Sequence, residues 1–462
     1  MQETPFGPVY DNVLEGIGKT PMVKVSKIDT GPCELFLKLE SNNPGGSIKD
    51  RIGLAMIEAA ENDGKLKPGG TIVEATAGNT GLALALVAAQ KGYKLIIVVP
   101  DKMAQEKIFH LKALGADVRL TRSDVVKGNP DYYQDVAQRI ADETGAFYVN
   151  QFGNKANPSA HERMTGPEIW GQMGKKLDAI VAGVGSGGTI TGLAHFFERE
   201  APHVEMILAD PKGSILTEYV NTGVKPNDAG SWLVEGIGED FIPDICDLSR
   251  VKKAYGITDK ESFEAARDLL MKEGVLGGSS SGTLLAAALK YCREQKKPKR
   301  VVAFVCDRGD KYLSKMYNDY WMYDQGFIKR APKGDLTDLI TRKHSERATV
   351  TLKPDDRLLT AYGRMKLYDI SQLPVLNEDG TIAGIIDEED ILFSVVRNRE
   401  KFKDPVKSAM TYRVMTLEAS EPMEELLPVF AKGYVAVVTK GGKFEGLITR
   451  SDLLSYLRLQ VA

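Results

Sequence analysis

Cysteine is scarce in this 462-residue chain, and its four copies, Cys33, Cys246, Cys292 and Cys306, lie far apart with no C-x-x-C pair. A disulfide-stapled scaffold and a thiolate zinc site are both out of view, and a reducing cytoplasm fits. Five histidines leave little for a structural metal, so none is expected. No apolar run approaches the roughly 18 to 20 residues of a membrane span. The opening MQETPFGPVY has neither the basic nor the apolar region of a secretion signal, so no membrane association is expected. A dominant charge is missing too: 60 Lys and Arg against 63 Asp and Glu give −3, which removes the global electrostatic reason to bind nucleic acid.

What is present is an ordinary globular composition, 43% hydrophobic and 27% charged, in a chain long enough for about three folding units. Glycine is the one excess, at 45 residues. From about residue 20 to 325, short β-branched runs alternate with helical patterns, the signature of an α/β fold with largely parallel sheets. The runs are TIVEA (71–75), KLIIVVP (94–100), DVRLT (117–121), AIVAGV (179–184), EMILAD (205–210) and RVVAFVCD (300–307). Between them GLALALVAAQKG (81–92) is apolar on nearly every side, as an interior helix is. Several runs end in glycine-rich turns, and in open α/β sheets ligands lie at the carboxyl ends of strands.

After Gly326 the character changes. Residues 326–345 read as a charged linker, and beyond them the chain repeats itself. LPVLNEDGTIAGIIDEEDILFSV from Leu373 overlays VAVVTKGGKFEGLITRSDLLSYL from Val435 at an offset of 62, with Gly380 on Gly442, Gly384 on Gly446 and Asp390 on Asp452. Two copies, about 346–400 and 405–462, are each too small for a core of their own and are expected to pack as one pseudo-symmetric unit.

Three turns are candidate sites. Gly183, Gly185 and Gly188 spell G-x-G-x-x-G between a strand and a helix, with Asp210 ending the next strand, a dinucleotide fingerprint that would suit an NAD-dependent dehydrogenase. The physical requirement is only backbone N–H groups at a helix start, which bind any phosphate. TAGNTG (76–81) offers hydroxyls and one amide to a carboxylate or ring oxygen, or else caps its own helix. GGSSSG (277–282) offers serines that either cap the next helix or face a ligand. A fourth segment, SNNPGGSIKDR (41–51), sets Lys49 at the start of a helix, where the helix dipole disfavours its charge and suits it to Schiff-base or general-base chemistry.

Taken in order, SNNPGGSIKDR, EATAGNTG, GVGSGGTITG, ADPKGSIL, EGIGEDFIPD and GGSSSG resemble the fold type II pyridoxal-phosphate enzymes, and most closely the cystathionine β-synthase family. The similarity covers residues 6 to 325, and the C-terminal repeat resembles the paired regulatory CBS domains of the same family. The resemblance implies a two-lobed catalytic domain over 1–325 with open, largely parallel sheets, followed by a pair of CBS repeats over 346–462. It implies that Lys49 joins the cofactor, pyridoxal 5′-phosphate, and moves the Cα proton. Gly185, Ser186, Gly187, Gly188 and Thr189 would cradle the cofactor phosphate, Asn79 would bond its ring oxygen, and Ser279 would face its pyridine nitrogen. Thr76, Ala77, Asn79, Thr80 and Gln151 would hold the substrate carboxylate, and Gly236, Ile237 and Gly238 would leave room for the second substrate. The implied reaction condenses L-serine with L-homocysteine to L,L-cystathionine, with hydrogen sulfide from cysteine as a permitted side product.

Two positions depart from the family pattern: Ala77 stands where serine is usual, and Glu239 stands where an aromatic is common. The haem-binding extension of animal relatives is not found ahead of the catalytic motifs, so no haem is expected. In paired domains of this kind a Thr and an Asp commonly hold a nucleotide ribose. The second repeat has Thr449 and Asp452, while the first has Asp390 but Asp387 in the threonine's place, a carboxylate that would repel phosphate and tolerate an adenosyl cation such as S-adenosylmethionine. A homo-oligomer, at least a dimer, is expected. Cysteine synthase, acting on O-acetylserine and sulfide, is the nearest rival, and a ligand sensor with a dead catalytic domain is a third reading. KKPKR (296–300) reads as a solvated loop and Cys306 as buried packing.

Overall fold

The computed structural model describes residues 2–4, 7–76, 78–101, 105–122, 124–125, 128–329 and 333–461. They form two compact units, Met1–Tyr317 and Asn318–Ala462. No helix among the described residues is long and apolar enough to cross a membrane.

The strands of the first unit are β1 (Gln2–Thr4), β2 (Gly7–Val9), β3 (Met22–Lys24), β4 (Glu34–Leu39), β5 (Thr71–Ala75), β6 (Lys94–Pro100), β7 (Asp117–Thr121), β8 (Phe147–Tyr148), β9 (Ala179–Gly183), β10 (Glu205–Pro211), β11 (Val251–Ile257) and β12 (Arg300–Val305). Its helices are α1 (Lys49–Asn62), α2 (Asn79–Lys91), α3 (Gln105–Ala113), α4 (Tyr133–Thr144), α5 (Ala156–Ala160), α6 (Gly166–Gln172), α7 (Gly188–Glu200), α8 (Leu216–Thr222), α9 (Asp259–Glu273) and α10 (Ser279–Arg293). Two sheets organise them. One has the order β11-β10-β9-β12-β4-β3, parallel except for β3, and the other is the all-parallel β7-β6-β5-β8. Each is the core of a lobe, and the turns leaving β5, β9 and β12 open on the same side as the glycine-rich loops.

α2 is buried at Thr80 through Ala85 and again at Val87 and Ala88, which accounts for its apolar circumference. DVRLT pairs only with β6 and is the exposed margin of its sheet.

The helix that carries Lys49 is anchored two residues further on. Arg51 is fully buried and forks onto two carboxylates: Nε and Nη2 donate to Glu40 at 2.7 and 2.8 Å, and Nη1 and Nη2 donate to Glu168 at 2.8 and 2.7 Å. Lys38 Nζ adds a bond to Glu168 at 2.9 Å. Burial works to raise the Glu168 pKa, but Arg51 and Lys38 bring it down to about 2. These charges tie β4 to α1 and α6, so the start of α1 is held from below.

In the second unit α11 (Asp319–Asp324) leads into two similar halves. α12 (Leu358–Tyr368), β13 (Gln372–Leu376), β14 (Ile382–Asp387) and α13 (Glu388–Val395) form the first, and β15 (Thr416–Glu418), α14 (Leu426–Ala431), β16 (Ala436–Lys440), β17 (Lys443–Ile448) and α15 (Arg450–Val461) form the second. The repeat glycines have a shared cause. Gly380 and Gly442 both turn at positive φ, 84° and 75°, in the hairpins. A Cβ on Gly384 would lie 2.8 Å from Thr411 O, and one on Gly446 2.4 Å from Ile340 Cγ2. The stretch read as a charged linker is not a free connection throughout: Leu336, Leu339 and Ile340 are buried in the core of the second half, and Leu336 N bonds Ala419 O at 2.9 Å. Its apolar residues are spaced among charges, which hid them in the composition.

Replacing Arg51 with Met leaves the buried Glu40 without its cation and Glu168 with Lys38 alone, and is expected to destabilise the first unit by about 3 to 5 kcal/mol. Denaturant unfolding of the full chain reads this, and a loss under about 1 kcal/mol would assign the anchoring to packing alone.

Candidate functional site

Three helices, α2, α7 and α10, begin at one cavity, and none has a side chain capping its N-terminus. The first N–H groups of a helix lack intrahelical partners and carry a partial positive charge, so the cavity is prepared for anions. Its volume of about 770 Å³ is that of a cofactor-sized site.

Lys49 lines it as the first residue of α1. The preceding turn is stitched to the end of β12: Ile48 N bonds Cys306 O at 2.8 Å and Arg308 N bonds Gly46 O at 3.1 Å. Burial pushes the Lys49 pKa down, against the charges of Glu239 and Asp307, and favours the neutral amine. Cys306 also lines the cavity, so its thiol is not only packing. Burial holds its pKa up at about 12, and it stays a neutral thiol.

The turn Gly185 to Thr189 forms one wall. Its glycines are steric necessities: a Cβ on Gly188 would lie 1.8 Å from Asn157 Oδ1, and one on Gly185 2.6 Å from Gly236 O. Asn157 Nδ2 bonds Gln151 O and Ser186 Oγ, both at 2.9 Å, while its buried Oδ1 has no partner among the described residues. Thr189 Oγ1 sits 3.2 Å from His161 Nε2, in a single π-helical turn spanning His161–Thr165, and burial keeps that imidazole neutral. Uncapped amides, a tight glycine turn and neutral surroundings fit a phosphate group.

Thr76, Asn79 and Thr80 form the facing wall with Gln151, whose Oε1 accepts from Thr80 Oγ1 at 2.7 Å. Beneath them the buried Glu74 accepts the Gln151 amide at 3.3 Å, and burial raises its pKa to about 8. Ala77 lies outside the described residues. Gly236, Ile237 and Gly238 line the third side, both glycines at positive φ.

Ser280 lines the cavity at the start of α10, and beside it Ser279 Oγ accepts the Glu235 amide at 3.0 Å, a bond that leaves the Ser279 hydroxyl hydrogen free to donate. Asp210, the acidic member of the dinucleotide fingerprint, lies outside the lining and accepts from Thr217 N and Oγ1 at 2.9 Å. A dehydrogenase would need that carboxylate free for a ribose.

Sequence reasoning missed Lys107, Lys315 and Glu235, which meet at the cavity. Lys315 Nζ bonds Glu235 at 2.6 Å, and Lys107 pairs with its other oxygen. No spacing connects three residues drawn from α3, the loop after α8 and the segment after β12. Glu239 also lines the cavity, its pKa pushed well up by burial and by Asp240.

In the second unit Asp452 lines a separate cavity of about 320 Å³ with Tyr320, Tyr456 and Asp338. Its carboxylate accepts from Thr341 Oγ1 and Thr449 Oγ1, both at 2.6 Å. Asp390 instead bonds back to the amide of Asp387 and completes the cap of α13.

A buried lysine whose pKa burial pushes down, set among helix starts open to a phosphate and a carboxylate, is an arrangement suited to an enzyme that binds a phosphate-bearing aldehyde cofactor. Family models agree: the pyridoxal-phosphate dependent enzyme model matches residues 13–307, and the CBS domain model matches 338–397 and 406–459. A cystathionine beta-synthase from Dictyostelium discoideum is 36% identical, with 97% of this chain and 92% of the relative covered. A cysteine synthase from Staphylococcus aureus is 41% identical over 66% of this chain and 96% of the relative. Among solved structures, a hydrogen sulfide-producing enzyme from Fusobacterium nucleatum superposes with a TM-score of 0.62 at 36% identity, covering 66% of this chain and all of that one. The chain belongs to the pyridoxal-phosphate dependent enzymes, and within them to the cystathionine β-synthase family.

Two outcomes are expected. Gly188→Ala displaces Asn157 and should weaken pyridoxal phosphate binding by at least about tenfold, read by absorbance titration. Glu74 is neutral in the fold up to about pH 8 but ionises in the unfolded chain from the ordinary carboxylate range upward, so its contribution to stability falls as pH rises between the two. Melting temperatures measured across that window should fall less steeply in Glu74→Gln than in the wild type.

Proposed function

We propose that the chain catalyses a β-replacement that joins L-serine to L-homocysteine, giving L,L-cystathionine and water. The observation that carries this reading is the buried Lys49 amine set among three uncapped helix starts, in a chain whose near full-length relative is named a cystathionine beta-synthase.

Bound in the cavity, pyridoxal phosphate would supply the electron withdrawal that makes the substrate Cα acidic and its Cβ substituent exchangeable. Gly185 to Thr189 would hold its phosphate at the start of α7, and Asn79 its ring oxygen. The neutral hydroxyls at the start of α10, Ser279 with Ser280 beside it, would be the donors for the ring nitrogen, and a hydroxyl would leave that nitrogen unprotonated. Thr76, Thr80 and Gln151 would fix the substrate carboxylate on the dipole of α2. Lys49 takes the Cα proton and returns it to Cα after the thiol sulfur has joined Cβ. Gly236 and Gly238, two positive-φ glycines in the cavity lining, would leave room for the second substrate beside Ile237.

The Staphylococcus relative supports a second reading, O-acetylserine with sulfide, on the same residues, and the Fusobacterium structure supports sulfide release from cysteine. Purified protein assayed with serine plus homocysteine, O-acetylserine plus sulfide, and cysteine alone, with products identified by mass, separates the three. Cystathionine is the expected main product, and preferential cysteine formation overturns the first reading. Lys49→Ala is expected to lose the yellow colour that borohydride bleaches and at least about a hundredfold in turnover.

For the second unit the reading is an adenosyl cation at Asp452, supported by an aromatic and acidic lining that disfavours phosphates. Calorimetry should show heat with S-adenosylmethionine and none with ATP, and the reverse overturns it. Apolar residues exposed at matching repeat positions, Leu392 at 56% and Leu454 at 67%, support self-association into a dimer. Four unpaired cysteines support a reducing, cytoplasmic setting.

A further inference from the structure

We propose that Lys311 and Asp307 are positioning residues that clamp the side-chain amide of Asn79, so that it presents an N–H donor, and no acceptor, to the cofactor's ring oxygen. The inference rests on the reading that pyridoxal phosphate fills the cavity.

A primary amide has two donors on one end and an acceptor on the other, and it fits most sites equally well either way round. Here charge decides. Asn79 Oδ1 accepts from Lys311 Nζ at 2.7 Å, and its Nδ2 donates to Asp307 Oδ2 at 2.8 Å. Turning the amide over would aim its N–H groups at an ammonium and its carbonyl at a carboxylate, making both contacts repulsive at once. Bonds to ionised partners are about twice as strong as neutral ones, and partial burial strengthens them further. Among the described residues the second N–H of Asn79 has no bonding partner, and Asn79 is part of the cavity wall.

The clamp is itself held. Asp307 is buried, its Oδ2 also accepts from Tyr312 OH at 2.8 Å, and its backbone oxygen accepts Gly278 N at 3.1 Å. A Cβ at Gly278 would lie 2.0 Å from Asp307 Oδ1, so the helix start packed against the carboxylate has to be glycine. Burial pushes the Asp307 pKa up and the Lys311 pKa down, and the charge of each opposes the shift of the other. Lys311 follows in the short 3₁₀ turn Gly309–Tyr312, directly after β12. The end of β12 therefore orients a residue at the start of α2, in the other lobe.

The test compares cofactor-loaded wild type, Lys311→Met, Lys311→Arg, Asn79→Ala and the Lys311→Met/Asn79→Ala double variant by the visible absorption of the bound cofactor and by its dissociation constant. Lys311→Met is expected to move the absorption maximum in the same direction as Asn79→Ala and to weaken cofactor binding about tenfold. Adding Asn79→Ala to it should move the band no further, and Lys311→Arg should keep the wild-type band. A wild-type spectrum in Lys311→Met overturns the proposal, and so does a double variant whose shift is the sum of the two singles, since a merely structural lysine would act independently of Asn79. Lys311→Gln takes the place of the methionine variant if that one does not fold. A wild-type protein that takes up no pyridoxal phosphate overturns the cofactor reading itself, and this one with it.

Discussion

Backbone amides with nothing to bond are the constraint on which this structure depends. α2, α7 and α10 each begin without a capping side chain at the same cavity, and each brings a partial positive charge there. A capping side chain can satisfy such donors locally, as Thr258 does for α9 in its capping box with Glu261. At these three starts the donors face the cavity and are available to ligand oxygens, and glycine stands where the loops close tightly over them. The clashes that a Cβ would make at Gly185, Gly187 and Gly188 are the steric side of the same arrangement.

The end of β12 is where the lobes and the chemistry meet. Its residues hold the turn before Lys49, the helix start at Gly278 and the amide of Asn79. Arg51 and its two carboxylates hold α1 from the opposite side. Lys49 thus sits between two attachments, as the proton transfer proposed for it would require. A buried ionic cluster, weak as a source of stability, lies within one helical turn of Lys49 and fixes the helix that carries it.

Much of the catalytic unit was legible. The six runs read from the sequence coincide with β5, β6, β7, β9, β10 and β12 to within two residues; five of them are parallel strands buried on both faces and so nearly continuously apolar, while the exposed edge strand β7 is the exception. β4 was not read, since ELFLKL carries Glu34 and Lys38, and only the fold shows Lys38 buried on Glu168. Residues 336–340 were taken for linker because their apolar positions are embedded among charges. Ser279 was assigned from its motif, and only the fold shows its Oγ accepting the Glu235 amide. Motifs place a residue on a turn, and the turn's neighbours decide which way the side chain faces.

The glycine-rich turns, the lysine at a helix start and the 62-residue repeat were properties of local sequence, because each arises from contacts within a few residues or from direct self-comparison. The Lys107–Glu235–Lys315 cluster, the burial of Lys49 that lowers its pKa and the contacts of Asn79 with Lys311 and Asp307 came only with the tertiary structure. Asn79 and Asp307 are 228 positions apart, and neither burial nor the sign of a neighbouring charge is written in the spacing of residues. Both depend on which segments the sheets bring side by side.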